Sequence, residues 1–126
     1  MKILLVDDSK TMRNIQKRAL ATLPGTEFVE AGDGVEGLAA LSAAGPSAFQ
    51  LIIVDWNMPN MDGLAFVQQV RGSDKRTPMI MCTTEAEKSR VLDALKAGVN
   101  NYVVKPFTPE ALSEKVQQTL QKAKAV

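Results

Sequence analysis

The sequence predicts an α/β fold, a parallel sheet with helices on both faces, and three observations carry that prediction. Short β-like runs alternate with helical patterns along the whole chain, the signature of successive βα units. Charged side chains close the apolar runs: Asp7 and Asp8 follow Ile3–Val6, Asp55 follows Leu51–Val54, and Lys105 follows Tyr102–Val104. Residues at the carboxyl ends of parallel strands face ligands, so these acids and the lysine converge on one sheet edge. Finally, 126 residues with 45% hydrophobic content suit one compact domain, residues 1–126, that buries roughly two-thirds of its unfolded-chain surface and leaves no room for an output domain.

Each element has its own justification. The strands are Lys2–Val6, Glu27–Glu30, Leu51–Val54, Pro78–Cys82 and Asn101–Val104, all short and rich in β-branched or aromatic residues. The first helix carries Met12, Ile15, Ala19 and Leu23 at helical spacing and stops at Pro24-Gly25. The second carries Val35, Leu38 and Ala39 and stops near Gly45-Pro46. The third follows Asp62-Gly63 with Leu64, Val67 and Val70 inward, and the fourth turns Val91, Leu92 and Leu95 inward before Gly98. Thr108 caps the fifth, Pro109 takes its first position, and Leu112, Val116 and Leu120 form its buried stripe.

Composition removes several classes of function. Fifteen Lys and Arg stand against 14 Asp and Glu with no block of like charge, so no footprint for nucleic acid or an anionic membrane exists. The apolar start of MKILLVDDS is too short for a signal peptide and no run reaches membrane-spanning length, which predicts a cytoplasmic protein. Cys82 is the only cysteine and histidine is absent, which excludes an intrachain disulfide, a Cys cluster and His-based catalysis.

Packed carboxylates cannot all stay ionised unless a cation neutralises them. With oxygen ligands and no His or Cys nearby, Mg²⁺ is the favoured ion; it uses one or two carboxylates, keeps waters and recruits a phosphate oxygen. A carboxylate can then act as nucleophile toward a phosphoryl group, with a lysine screening its charge. Lys105 supplies that lysine, and Thr83, just after its strand, can donate a further hydrogen bond.

Taken singly, these residues have plainer readings. Asp8-Ser9 can cap the first helix, Lys105 can be solvated, Tyr102 can be a half-buried strand residue, and Asn57–Gly63 can be a turn-rich loop. Trp56 reads as a surface flank without chemistry of its own, and Asp33-Gly34 and Gly98 as turn and helix-stop residues.

Together, Asp7-Asp8, Asp55 within DWNMPNMDG, Thr83 and YVVKPF at 102–107 resemble a response-regulator receiver domain in order and approximate spacing, over the whole chain. DWNMPNMDG followed by NNYVVKPFT is most similar to single-domain chemotaxis response regulators. The resemblance implies a flavodoxin-like (βα)5 doubly wound sheet in the strand order 2-1-3-4-5, an order taken from the family. It implies that Asp55 is the phosphoacceptor, Asp8 a direct metal ligand, Asp7 a ligand through a metal-bound water, and Asn57 a ligand through its backbone carbonyl. Thr83 and Lys105 would hold phosphoryl oxygens, Pro106 would follow a cis peptide bond, and Tyr102 would be an aromatic switch. Asn57 and Glu85, two residues after the acceptor and after Thr83, imply rapid loss of the phosphoryl group. An output surface would include Val91, Tyr102 and Lys115; Glu87 and Gln118 depart from the lysines expected on it.

The function expected from the resemblance is a monomeric switch that takes a phosphoryl group from a sensor or chemotaxis histidine kinase and catalyses only its own phosphorylation and dephosphorylation. Its target would be a flagellar motor switch protein or another protein that reads the phosphorylation state, with room for a phosphatase as a further partner; a phosphorelay shuttle or a receiver outside motility is the alternative. Other classes fit less well. A flavodoxin-like electron carrier needs a Ser/Thr-rich phosphate loop, and a nicotinamide enzyme a glycine-rich turn, where this chain has Asp7-Asp8-Ser9. A dehalogenase-type phosphatase places its nucleophile on the first strand, whereas Asp55 follows the third.

Overall fold

The computed structural model describes residues 1–124. Strands β1 (Lys2–Val6), β2 (Glu27–Ala31), β3 (Leu51–Val54), β4 (Met79–Thr83) and β5 (Asn101–Val104) alternate with helices α1 (Lys10–Leu20), α2 (Gly34–Ala44), α3 (Gly63–Ser73), α4 (Lys88–Ala97) and α5 (Pro109–Lys124). The sheet is parallel throughout, in the order β2-β1-β3-β4-β5. The expected architecture and strand order are therefore observed.

Alternating side chains sort the sheet into two core layers, as the period of two requires. Leu4, Val6, Ile52, Val54, Met79 and Met81 pack with Phe66, Val67 and Val70 of α3 and Ala94 of α4. On the other face, Ile3, Leu5, Leu51, Ile53, Ile80 and Cys82 pack with Ala19 and Leu20 of α1 and Leu112 and Val116 of α5. Each large side chain fully buried here contributes roughly 1.5–3 kcal/mol. Helices on both faces explain why the central strands β1, β3 and β4 read as nearly unbroken hydrophobic runs while the edge strands β2 and β5 do not.

The differences from the sequence reading have local causes. β4 runs one residue later than Pro78–Cys82, because Pro78 lacks an N–H to donate, and Thr83 therefore ends the strand instead of following it. β2 extends to Ala31, whose carbonyl accepts from Asp7 N. α1 ends at Leu20, so Leu23 lies in the following turn, and Ile15 faces out while Gln16 is buried in its place. Gln16 Oε1 is buried without a hydrogen-bond partner among the described residues.

The fully buried residues of α2 and α4 are small, while Leu38, as expected, and Leu41 are half-buried against the core. On α2, Gly34 and Gly37 are buried, while Val35 and Ala39 are exposed. A Cβ on Gly37 would lie 2.8 Å from the Phe66 ring and 3.2 Å from Val6, so the glycine is what lets the helix approach that closely. On α4, Ala94 is buried and Val91 half-buried, whereas Leu92 and Leu95 are each 45% exposed. On α5, Leu112 and Val116 are buried as expected, Leu120 is half-buried, and Thr119 adds a buried polar group whose hydroxyl donates to the Lys115 carbonyl.

Candidate functional site

Strand register builds the site. β1 and β3 pair with Val6 opposite Val54, which sets Asp7 beside Asp55, and Asp55 N donates to the Val6 carbonyl at 2.9 Å. β4 and β5 pair with Thr83 opposite Val104, so Lys105 is the next residue out, its N–H donating to the Thr83 carbonyl at 2.8 Å. The Lys105–Pro106 peptide bond is cis, as the resemblance implied.

Asp7, Asp8 and Asp55 each offer a carboxylate oxygen, and these oxygens lie within 4.8 Å of one another. Asp7 is buried and fully engaged: Oδ1 accepts from Ser9 N at 2.9 Å and Oδ2 from Lys105 Nζ at 2.7 Å. Asp55 Oδ1 accepts from Trp56 N at 2.7 Å, and its Oδ2 from Lys105 Nζ at 3.2 Å. Asp8 is exposed, and helix capping does not occupy it, because Ser9 Oγ takes the Met12 N–H. Asp8 is thus the carboxylate most available to an arriving ion.

Electrostatics follow from this packing. Burial raises the Asp7 carboxyl pKa, the bonds from Lys105 and Ser9 offset only part of that rise, and the charge on Asp55 adds to it. Burial alone would lower the Lys105 pKa, but its bond to Asp7 and the charges of Asp7 and Asp55 outweigh burial and raise it. Lys105 therefore bridges the two acids as a cation. A donor set of carboxylates alone fits a hard divalent ion, so the cluster is an acidic pocket able to bind a metal.

Neighbouring side chains close the pocket. Thr83 is fully buried at the end of β4, its Oγ1 accepting weakly from Glu85 N at 3.4 Å. Tyr102 is half-buried, and its hydroxyl donates to the Glu85 carbonyl at 2.6 Å; burial, with the charge of Glu85, pushes the phenol up to about 12. Cys82 is no rival nucleophile, since burial pushes its thiol up to about 12. Asn57 lies in the loop after Asp55 with an exposed side chain. Val91 on α4 is half-buried and Lys115 on α5 exposed, both away from the acids' hydrogen-bond network.

Other residues join the site without having been marked by the sequence. Trp56 is not a surface flank: it is 4% exposed and packs into the core, while its backbone N–H donates to Asp55 Oδ1. The Arg90 guanidinium stands over that ring, 5.2 Å from its centroid. Arg13 reaches from α1 to the Asp7 carbonyl and to Glu30, 2.9 Å away. Asp33, read as a turn residue only, binds Asn60 across the site's rim. The contacts of Arg13 with Glu30 and of Asp33 with Asn60 have no sequence signal, since they join residues 17 and 27 apart; only Asn60, at φ 66, is a type favoured for its backbone. A cavity of about 720 Å³ opens at the opposite end of the sheet, lined by Leu38, Phe49, Val70 and Thr77 among others, and contains none of the site residues.

A doubly wound sheet with three clustered acids and a bridging lysine at its carboxyl edge defines a class, and the comparisons agree with it. Residues 3–117 match the family described as response regulator receiver domain, and the chain belongs to that family. More particularly, it is 50% identical over 122 residues to the chemotaxis protein CheY1 of Helicobacter pylori, covering 95% of this chain and 97% of that one. It is 42% identical to the chemotaxis protein CheY of Pseudomonas aeruginosa, covering 97% of this chain and 98% of the other. Among solved structures, the Vibrio cholerae chemotaxis protein CheY4 superposes with a TM-score of 0.82 at 38% identity, over 94% of this chain and 97% of its own. A CheY-like receiver protein from Methanospirillum hungatei gives 0.86 at 28% identity, over 98% and 96%.

Proposed function

We propose that this chain is a phosphoacceptor switch of a two-component system, charged at Asp55 by a histidine kinase and acting in chemotaxis. The observation that carries the reading is the packing of Asp7, Asp8 and Asp55 oxygens within 4.8 Å, with Lys105 bridging two of them. In the reaction an Asp55 carboxylate oxygen attacks the phosphorus of a phosphohistidine; the P–O bond forms, the P–N bond breaks, and the imidazole leaves. Trp56 N–H fixes the rotation of the Asp55 carboxylate, and Lys105 can exchange part of its acid contact for a phosphoryl oxygen. Thr83 would turn its hydroxyl to the same group.

Asp8, Asp55 and the Asn57 carbonyl would hold Mg²⁺, with Asp7 acting through a bound water. The ion supplies positive charge that offsets repulsion between the carboxylates and the incoming phosphoryl group. Asn57 and Glu85 would set how fast water removes that group, leaving a short-lived phosphoprotein. The chain would catalyse nothing beyond its own phosphorylation and dephosphorylation, in the cytoplasm, and would bind its target as a monomer. Among the described residues, no helix is long and apolar enough to cross a membrane.

A Mg²⁺ titration tests the cluster. The Trp56 backbone N–H is bonded to Asp55 and its buried indole adjoins that residue, so its fluorescence should change on binding, and phosphorylation by acetyl phosphate should require the ion. Asp8→Ala should weaken Mg²⁺ by roughly tenfold or more, in the range that loss of a ligand or its close support produces. No fluorescence change and metal-independent phosphorylation would remove the metal from the account.

The output face would combine α4, β5 and α5, with Val91, Tyr102 and Lys115 contacting a partner. Leu92, Leu95 and Val104 support this face, each more than two-fifths exposed though large and apolar. The relatives' chemotaxis names favour a motor switch protein as partner, with a phosphatase as a second. Displacing Tyr102 from the Glu85 carbonyl requires only a few kcal/mol of differential stabilisation. Addition of a beryllofluoride phosphoryl mimic should therefore shift amide resonances across α4 and β5; shifts confined to the neighbourhood of Asp55 would contradict the switch.

A further inference from the structure

We propose that Asp33 and Asn60 are positioning residues of this site: together they pin the loop after Asp55 so that the Asn57 carbonyl is held ready for a divalent cation. The inference rests on the metal site proposed above and extends it to a pair remote from the acids.

The loop from Asp55 to Gly63 is tethered at two places. At its stem, Gly63 N donates to the Trp56 carbonyl at 2.8 Å. At its far end, Asn60 Nδ2 donates to Asp33 Oδ2 at 2.7 Å, and Gly34 N donates to the Met61 carbonyl at 3.3 Å. Among the described residues no side-chain hydrogen bond anchors Asn57, which lies between the tethers and takes its position from them. Asp33 is well suited to the task. Its Oδ1 accepts from Glu36 N at 2.8 Å, capping α2, so the carboxylate is fixed by a helix while its second oxygen is aimed at Asn60. Asp33 is only 6% exposed. The bonds from Glu36 and Asn60 hold its carboxyl below the usual range, so the bond to Asn60 is charge-assisted.

Two further features tie the loops together. Asn60 sits at φ 66, a conformation that asparagine adopts more readily than most residues, and this backbone turns its amide toward Asp33. Gly34 leaves no spare volume: a Cβ there would lie 2.7 and 2.9 Å from the Met61 side chain and 2.9 Å from its carbonyl oxygen. The β2–α2 loop is thereby locked against the β3–α3 loop. Loss of an outer contact that orients a metal's ligands typically weakens the metal by about tenfold to a hundredfold.

The test compares the parent, single variants at Asn60 and an exchanged pair by Mg²⁺ titration of Trp56 fluorescence and by melting temperature without Mg²⁺. Asn60→Gly removes the amide while permitting the positive φ; Asn60→Ser serves the same purpose if glycine loosens the chain too far. The exchange Asp33→Asn with Asn60→Asp restores one donor and one acceptor with unchanged net charge. Mg²⁺ should bind the single variants roughly tenfold more weakly than the parent, while the exchanged pair returns to within about threefold, all melting within a few degrees of the parent. Parent-like Mg²⁺ affinity in the single variants, or an exchanged pair as weak as they are, would overturn the pin and leave the acidic site standing. A parent that fails to bind Mg²⁺ would overturn the site itself and the pin with it.

Discussion

Asp55→Asn is expected to fold like the parent and to accept no phosphoryl group from acetyl phosphate with Mg²⁺ present. The amide keeps the size of the side chain and keeps an oxygen for the Trp56 N–H, now 2.7 Å from Asp55 Oδ1. It loses the nucleophile, since a carboxamide cannot form the acyl phosphate. Lys105 loses one acid at 3.2 Å but retains Asp7 at 2.7 Å, so no buried charge is left without a partner. One carboxylate fewer also relieves repulsion. Circular dichroism should show a parent-like melting transition, displaced by a few degrees at most, while gel-shift detection of phosphoprotein falls to background. A folded variant that is still stably phosphorylated would move the acceptor elsewhere.

Gly63→Ala should cause the largest loss of stability. A Cβ at Gly63 would lie 2.0 Å from the Asp55 carbonyl oxygen, 2.8 Å from its carbon and 2.9 Å from Trp56 Cα, all backbone atoms. They cannot withdraw easily, because Gly63 N is bonded to the Trp56 carbonyl and β3 is buried on both sides. Relief requires moving α3 or breaking the loop's stem, and overpacking of this kind costs about 3 kcal/mol or more. For a chain of this size that corresponds to a fall in melting temperature on the order of 10 °C. Phosphorylation should also decline, since the displaced backbone carries Asp55, the proposed acceptor. A melting temperature within about 2 °C of the parent would show that the loop yields more freely than its contacts indicate.

The strands and the acids at their ends were legible because an apolar run followed by a charge has few other readings in a βα chain. Register then did the rest: Val6 opposite Val54 brings Asp7 to Asp55 without any further signal. The helix faces were less legible where small residues make the contact. Gly37 against Phe66 and Ala94 within the core leave Val35, Ala39, Leu92 and Leu95 outside, and a search for apolar stripes selects the larger side chains instead. The burial of Trp56 has no sign in the sequence, because a residue adjoining a loop does not show which way its ring turns. Asp33 and Asn60 stand 27 residues apart, and their bond exists only after two loops meet. The acids were thus visible as chemistry, whereas their supports depend on tertiary packing.

The central claim, an acyl phosphate formed on Asp55, is tested most directly by phosphorylating the protein with acetyl phosphate and Mg²⁺, reducing it with borohydride and locating the product by peptide mass spectrometry. Reduction converts an aspartyl phosphate to homoserine, and the account predicts that conversion at Asp55 alone, dependent on Mg²⁺ and lost when the phosphoprotein is first exposed to base. Homoserine at Asp7 or Asp8, or a base-stable phosphate on a serine or threonine, would contradict it.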